Sequence, residues 1–314
     1  MWGIGIHRLR TLGILGMNAR NINYIARYNQ RSLYPLVDDK LKTKKLAQRY
    51  DVPVPKLYFE IREQHRLRNI ETRLHRLNGF VVKPAKGSGG KGILVIRARH
   101  KDSFITNSGA SLSLKRVKRH ISNILAGLYS LGGNPDVAIV EEVIGFSDLF
   151  DPYSYQGVPD IRIVVFKGYP VMAMLRLATR KSNGKANLHQ GAVGVGIDIC
   201  TGKPLNAVQF SRSVTTHPDT GANLKEIHVP QWEEVLHLAA RCYDMTGLGY
   251  LGIDIVLDRF NNPLLLELNA RPGLSIQTAN GMGLLPRLSR IEGLERQHTE
   301  AQQRSEYVIQ VFGE

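Results

Sequence analysis

Apolar residues recur along this chain in short β-rich runs, broken by polar turns that hold glycine, proline or asparagine. This pattern predicts strands at Lys56–Ile61, Phe80–Lys83, Val137–Val143, Ile161–Phe166 and Pro170–Leu177, with Gly168 marking a tight hairpin before Tyr169-Pro170. Helical spacing appears elsewhere. Asp38–Tyr50 reads as an amphipathic helix whose acidic start suits the helix dipole, and it stops before the two prolines of Asp51-Val-Pro-Val-Pro55. A basic helix is expected to run to Leu77, another over 112–131 up to Gly132-Gly133, and a third over Trp232–Met245 with Gly247 as its stop. One or two short basic helices fill 1–35, and a charged helix covers Leu285–Ser305. Strands and helices mix without regular βαβ alternation, which predicts an α+β fold with antiparallel pairs.

The most specific pattern is Leu251–Asp258, then Arg259-Phe-Asn-Asn262, then Pro263–Gly273. Two strands around a polar turn form an antiparallel hairpin. Alternation puts Glu267 and Asn269 on one face, and hairpin closure brings Asp254 of the partner strand to them. Two carboxylates and an amide carbonyl on a rigid support suit a hard divalent cation such as Mg²⁺, or Mn²⁺ in its place. A sheet with one polar face would explain the alternation, but not acids inside Leu-rich strands.

With 314 residues the chain can bury one large core or two lobes. No apolar run approaches the ~20 residues that span a bilayer, and the opening Met1–Ile6 is cut short by His7, Arg8 and Arg10, unlike a secretory signal. Cys200 and Cys242 stand far apart with neither metal spacing nor a disulfide framework, so a cytoplasmic location is the default expectation. The net charge of +15 favours acidic partners. Ten Lys or Arg against two Asp in the first 50 residues leave an RNA-binding arm, a membrane-facing strip and a docking surface for a polyanionic substrate all open. Neither an aromatic-rich RNA-binding signature nor a basic helix with a clean apolar face stands out, so charge alone does not choose among them, and nucleic acid is not the expected partner.

Further chemistry sits in loops. Val82–Ile93 carries Gly87, Ser88, Gly89 and Gly90 between two strands, with Lys83 at the strand end and Lys86 and Lys91 beside it. Glycines let backbone N–H groups approach an anion, and lysine holds phosphate oxygens as a point charge. Neither a P-loop nor a dinucleotide fingerprint is present, because a strand rather than a helix follows. Glu141, Glu142, Val143 and Ile144 end an apolar strand, where an extended backbone can meet a base and a carboxylate can meet ribose hydroxyls. In Gly184–Gly191, Lys185 and Asn187 could reach phosphate or metal, and His189 a substrate carboxylate. Arg271, two residues after the metal set, can brace developing phosphoryl or carboxylate charge.

Together these motifs resemble the ATP-grasp superfamily, and within it the RimK-type α-L-glutamate ligases. The likeness runs from about Asp38 to Gly273. Its landmarks fall in the family's order: Asp39-Lys40, Lys83 with its glycine loop, Glu141–Ile144, Asp160-Ile-Arg162, Lys185–His189, Gly252-Ile-Asp254 and Glu267–Gly273. The resemblance implies a lobe over 38–144 and another over 145–274 with ATP between them, a basic segment over 1–37 in place of a full N-terminal domain, and a tail over 275–314. It implies that Lys40 and Lys83 contact phosphates under the glycine loop, that Glu141–Ile144 hold adenine and ribose with Asp160 and Asn187 near the nucleotide, and that Arg271, Lys185 and Arg162 serve the reaction. The implied chemistry joins a carboxylate to an amine through an acyl phosphate, with glutamate as the amino acid and an acidic peptide or protein as acceptor. A small-molecule or cell-envelope amine, and a non-catalytic nucleotide-binding adaptor, are the alternatives; a homo-oligomeric state stays open. The chain departs from RimK-type ligases in the short N-terminus, in an insertion over Gly145–Pro159, and in Lys185-Ala-Asn187, which stands where the family has Arg-Ser-Asn.

Overall fold

The computed structural model describes residues 11–87, 89–101 and 103–313. Residues 1–10 of the expected N-terminal helices and Ser88 of the glycine loop lie outside the described residues. The chain forms two compact units. The smaller takes Asp38–Gln48 and Val54–Gly145. The larger takes the described chain up to Val37, Arg49–Pro53 and the described residues from Phe146 onward, so that 11–37 and 275–313 belong to one unit with 146–274.

In the smaller unit, β1 (Leu57–Ile61), β2 (Phe80–Pro84), β3 (Leu94–His100), β4 (Ser103–Thr106), β5 (Ser111–Ser113) and β6 (Ala138–Glu141) form an antiparallel sheet in the order β1-β6-β2-β3-β4-β5. Phe80, Val82, Ile96, Phe104 and Val140 pack on Val117, Ile121 and Ile124 of helix Leu114–Leu125, and the rings of Phe80 and Phe104 meet edge to face at 5.7 Å. That helix ends at Leu125, short of the expected 131. Gly127 has φ +83°, and a Cβ there would come within 2.4 Å of the Asn134 carbonyl, so the chain turns back at that point. The basic helix expected up to Leu77 shortens to a 3₁₀ turn, Gln64–Leu67, and helix Ile70–Leu74.

In the larger unit, β7 (Asp160–Phe166), β8 (Tyr169–Leu177), β9 (Val193–Ile197), β10 (Pro204–Gln209), β11 (Arg212–Ser213), β12 (Tyr250–Leu257) and β13 (Pro263–Asn269) give the antiparallel order β11-β10-β9-β8-β7-β12-β13. The expected hairpins at β7–β8 and β12–β13 and helix Trp232–Thr246, closed by Gly247, are all present. The tail opens with helix Ser275–Asn280, and the single helix expected over Leu285–Ser305 is replaced by two, Leu285–Glu292 and Ala301–Phe312. Arg304 of the second is buried on Asp244 and on the carbonyls of Gly168 and Thr299. The whole is the α+β architecture expected, with two antiparallel sheets.

Residues 17–28 form one helix with a π segment at Arg20–Ile25. The N-terminal segment is tied to the larger unit by two buried amides. Asn29 donates to the carbonyls of Tyr250 (2.8 Å) and Ala270 (3.1 Å) and accepts from the Tyr250 N–H (2.8 Å). Gln277 accepts from the N–H groups of Leu15 and Leu284 and donates to the Leu15 carbonyl. Among the described residues, no helix is long and apolar enough to cross a membrane.

Candidate functional site

Each unit holds a buried polar cluster. In the smaller unit, helix Lys40–Arg49 opens with Asp39, whose carboxylate accepts from the N–H groups of Leu41 and Lys42. The helix places Lys44 on the sheet. Lys83, on β2, and Glu141, on β6, come together because the two strands pair with Lys83 opposite Ile139. Lys83 Nζ lies 2.5 Å from Glu141 Oε1, Lys44 Nζ lies 2.8 Å from Oε2, and all three side chains are buried. Lys44 also donates to the Pro55 carbonyl. Burial opposes ionisation of Glu141, but the two ammonium groups outweigh it and hold the carboxyl below its ordinary range; burial in turn pulls Lys44 down. Two ammonium groups share one carboxylate, so a positive charge is left over in a buried setting.

This cluster lies at the root of the glycine loop. Lys40 Nζ donates to the Gly87 carbonyl at 2.7 Å, and Asp136 accepts from the N–H groups of Lys86 (2.9 Å) and Val137 (2.7 Å). Gly89 and Gly90 have φ +61° and +74°, the conformation that turns successive N–H groups to one side. Glu141 was expected to meet the nucleotide's sugar. Its carboxylate is taken up by the lysines, whereas Glu142, after it, is exposed and Val143 and Ile144 are half-buried.

In the larger unit, one face of the sheet carries a polar row. Asp254 pairs across to Arg162 on one side and to Glu267 on the other, Arg176 pairs to Asp160, and Asn269 sits opposite Gly252. Arg162 grips Asp254 through Nε and Nη2, the latter at 2.7 Å. Arg176 grips Asp160 at 2.5 and 2.6 Å and reaches Asp254 at 2.8 Å. Burial pushes Asp160 up, whereas for Asp254 the guanidinium groups of Arg162 and Arg176 overcome burial and hold it low. Gly252 leaves the space this needs: a Cβ there would lie 2.6 Å from Pro272 Cβ and 3.4 Å from Arg162 Nη1.

The three oxygen donors expected for a metal thus share a face. Asp254 spends bonds on both arginines and Asn269 Oδ1 accepts from the Arg271 N–H at 2.8 Å, while Glu267 and Asn269 are half-buried. Carboxylate oxygens each accept more than one partner, so the donor chemistry fits Mg²⁺ or Mn²⁺, with Glu267 and Asn269 the more open pair. Asp160, expected near the nucleotide, is buried and committed to Arg176, and Arg162 is anchored on Asp254. Lys185 is exposed, and the Asn187 amide oxygen caps the turn Leu188–Gln190 by accepting from the His189 N–H.

Loop Ala270–Gly273 is held from behind by the N-terminal segment. Asn29 binds the Ala270 carbonyl, Arg20 donates to the Pro272 carbonyl at 2.8 Å, and the Arg271 guanidinium stacks on the Tyr34 ring at 5.0 Å. Sequence reading missed these supports, as it missed Lys44 and Arg176. Arg176 does carry a signal, as the lone cation of an apolar strand.

Solved structures of similar fold include the ATP-grasp ligase PsnB complexed with a minimal precursor (16% identity, TM-score 0.46, 89% of this chain and 63% of that one). Others are D-alanyl-alanine synthetase A of Vibrio cholerae (10%, 0.48, 90% and 66%) and a RimK domain ATP-grasp protein of Sphaerobacter thermophilus (12%, 0.46, 84% and 70%). The chain spans less than two thirds of the length of the first two. No curated protein matches it in sequence. The profile of the sugar-transfer associated ATP-grasp family matches residues 19–293, most of the chain. The ATP-grasp resemblance read from the motifs is borne out, and the chain belongs to the sugar-transfer associated ATP-grasp family.

Proposed function

We propose that the protein is an ATP-dependent carboxylate–amine ligase that adds an amino acid, glutamate by the motif likeness, to an acidic peptide or protein acceptor. A carboxylate oxygen attacks the γ-phosphorus, and the bond from phosphorus to the β-bridging oxygen breaks to release ADP. An amine then attacks the acyl carbon, phosphate leaves, and the amine gives up a proton. The observation that carries this reading is the surplus buried charge of Lys44 and Lys83 on Glu141, which calls for an anion at the root of a glycine loop.

Lys83 and Lys40 would bind phosphate oxygens, and the backbone of Glu142–Ile144 would line the base. Glu267 and Asn269, with Asp254 beside them, would hold the divalent cation, which when bound supplies charge neutralisation between the two reacting anions. Arg271 and Lys185 would steady the carboxylate and the developing phosphoryl charge, and Arg162, fixed by Asp254, would set a positive boundary behind them. The work is placement and electrostatics, with no nucleophile required from the protein. The net charge of +15 supports an acidic acceptor.

The test is mass spectrometry of products after incubation with Mg²⁺-ATP, a panel of amino acids and acidic peptides, with ADP scored alongside. ADP together with a new amide establishes the ligase and names the amino acid. An absence of nucleotide binding by calorimetric titration would overturn the reading; binding without ADP would point to the adaptor.

A further inference from the structure

The positive charge of the chain is unevenly spread. Between Arg62 and Arg119 stand fifteen Lys or Arg and three acids, so this stretch of the smaller unit holds most of the excess. Helix Leu114–Leu125 is its centre. The helix buries Val117, Ile121, Ile124 and Leu125, and it exposes Lys115, Arg116 and Arg119 on the opposite side without a single acid along its length. Lys118 Nζ donates to the Arg68 carbonyl at 3.4 Å and Gln64 to the Ser122 carbonyl at 3.2 Å, which joins the segment bearing Arg66 and Arg68 to the same surface. Lys115, Arg116, Arg119 and Arg68 have no acidic partner among the described residues. Like charges gathered in this way repel one another unless an outside anion balances them.

Two apolar side chains mark the other flank. His120 Nε2 lies 2.9 Å from the Gly92 carbonyl, and its ring centre lies 5.5 Å from that of Tyr129. Next to Gly92 and Tyr129 in the chain, Ile93 and Leu128 are 46% and 66% exposed, and they are the exposed large apolar residues of this unit among the described residues. A nucleic-acid surface would offer stacking rings or base-reading amides. Here Tyr129 is half-buried and the exposed apolar groups are aliphatic.

We infer that this face docks on an anionic phospholipid bilayer, with the helix cations on headgroup phosphates and Ile93 and Leu128 entering the boundary between headgroups and acyl chains. The attachment is peripheral.

The experiment is co-sedimentation of the full chain with vesicles of phosphatidylcholine alone and of phosphatidylcholine mixed with phosphatidylserine, at low and high salt. Sedimentation with the anionic vesicles only, released by salt, is expected. Removing two cations in Arg116→Gln/Arg119→Gln is expected to weaken binding about 25-fold, at about fivefold per cation. Ile93→Ser/Leu128→Ser is expected to weaken it about tenfold, with the salt dependence kept. All four side chains are exposed, so thermal melting should match the parent chain. Equal sedimentation with neutral vesicles, or none with anionic vesicles at low salt, would overturn the inference. So would an RNA oligomer that displaces the vesicles and binds Ile93→Ser/Leu128→Ser as well as the parent chain, since that outcome assigns the face to nucleic acid.

Discussion

Glu141 carries two lysines, and removing its charge tests what the cluster is for. Breaking one partner out of a buried ion pair costs about 3–5 kcal/mol, so Glu141→Gln is expected to lower the unfolding free energy read from urea titration by an amount in that range at neutral pH. The pH dependence has a definite sign. The folded carboxyl lies below its ordinary value of 4.5, so its stabilisation is full above that value and fades as pH falls through the depressed one. Parent and variant should therefore converge in acid; a gap that stays constant down to pH ~3 would show that the lysines do not hold Glu141. Lys83→Met leaves Glu141 with Lys44 and should weaken ATP binding at least about tenfold by titration while the fold persists, since a charge-assisted bond contributes about 1.5–3 kcal/mol. On the face proposed for the metal, Glu267→Gln is the cleaner probe, with ADP formation expected to vanish and melting to change little. Asp254→Ala would strip the buried Arg162 of its anion, leave Arg176 with Asp160 alone and destabilise the unit as well. Lys83 and Glu267 were legible because each interrupts an apolar strand. Lys44 was hidden among Lys40, Lys42 and Lys45, and its burial is decided by Pro55 and Glu141, which no local pattern announces.

At the scale of elements, strands with a clear apolar face or a marked turn were readable, and so was helix Trp232–Thr246 with its glycine stop. What failed was decided by contacts distant in sequence. Strand β9 alternates valine with glycine because a Cβ at Gly194 would lie 2.7 Å from Leu188, and one at Gly196 would lie 2.4 Å from the Ala279 carbonyl, so tertiary crowding erased the usual β signature. The tail reads as one charged helix, yet it breaks after Glu292, and the burial of Arg304 against Gly168 fixes the second half elsewhere on the fold. The loop after β13 is likewise set from afar. Asn29→Ala would leave the buried Tyr250 N–H and the carbonyls of Tyr250 and Ala270 short of a partner, and a loss of about 2–3 kcal/mol is expected in chemical denaturation. Gly252→Ala would push a methyl group into Pro272 and cost about 1–3 kcal/mol; a melt identical to that of the parent would show that the loop can yield there.

For the whole molecule, the motif order gave the ATP-grasp superfamily while leaving the N-terminal segment without a role. Composition marked it only as basic, and its place came from two buried amides, Asn29 and Gln277, whose partners lie more than two hundred residues away. The family match begins at residue 19, inside this segment. A version of the chain trimmed to start at Asp38 would keep every landmark from Asp39-Lys40 to Pro272-Gly273, so any inspection of its signature would pass it as whole. It would nonetheless present Arg271 without the Tyr34 ring beneath it and with the carbonyls of Ala270 and Pro272 released from their donors. Such a piece should still bind nucleotide through Lys44 and Lys83 while failing to turn it over, a separation of grip from stroke measurable by titration and ADP release on the same sample.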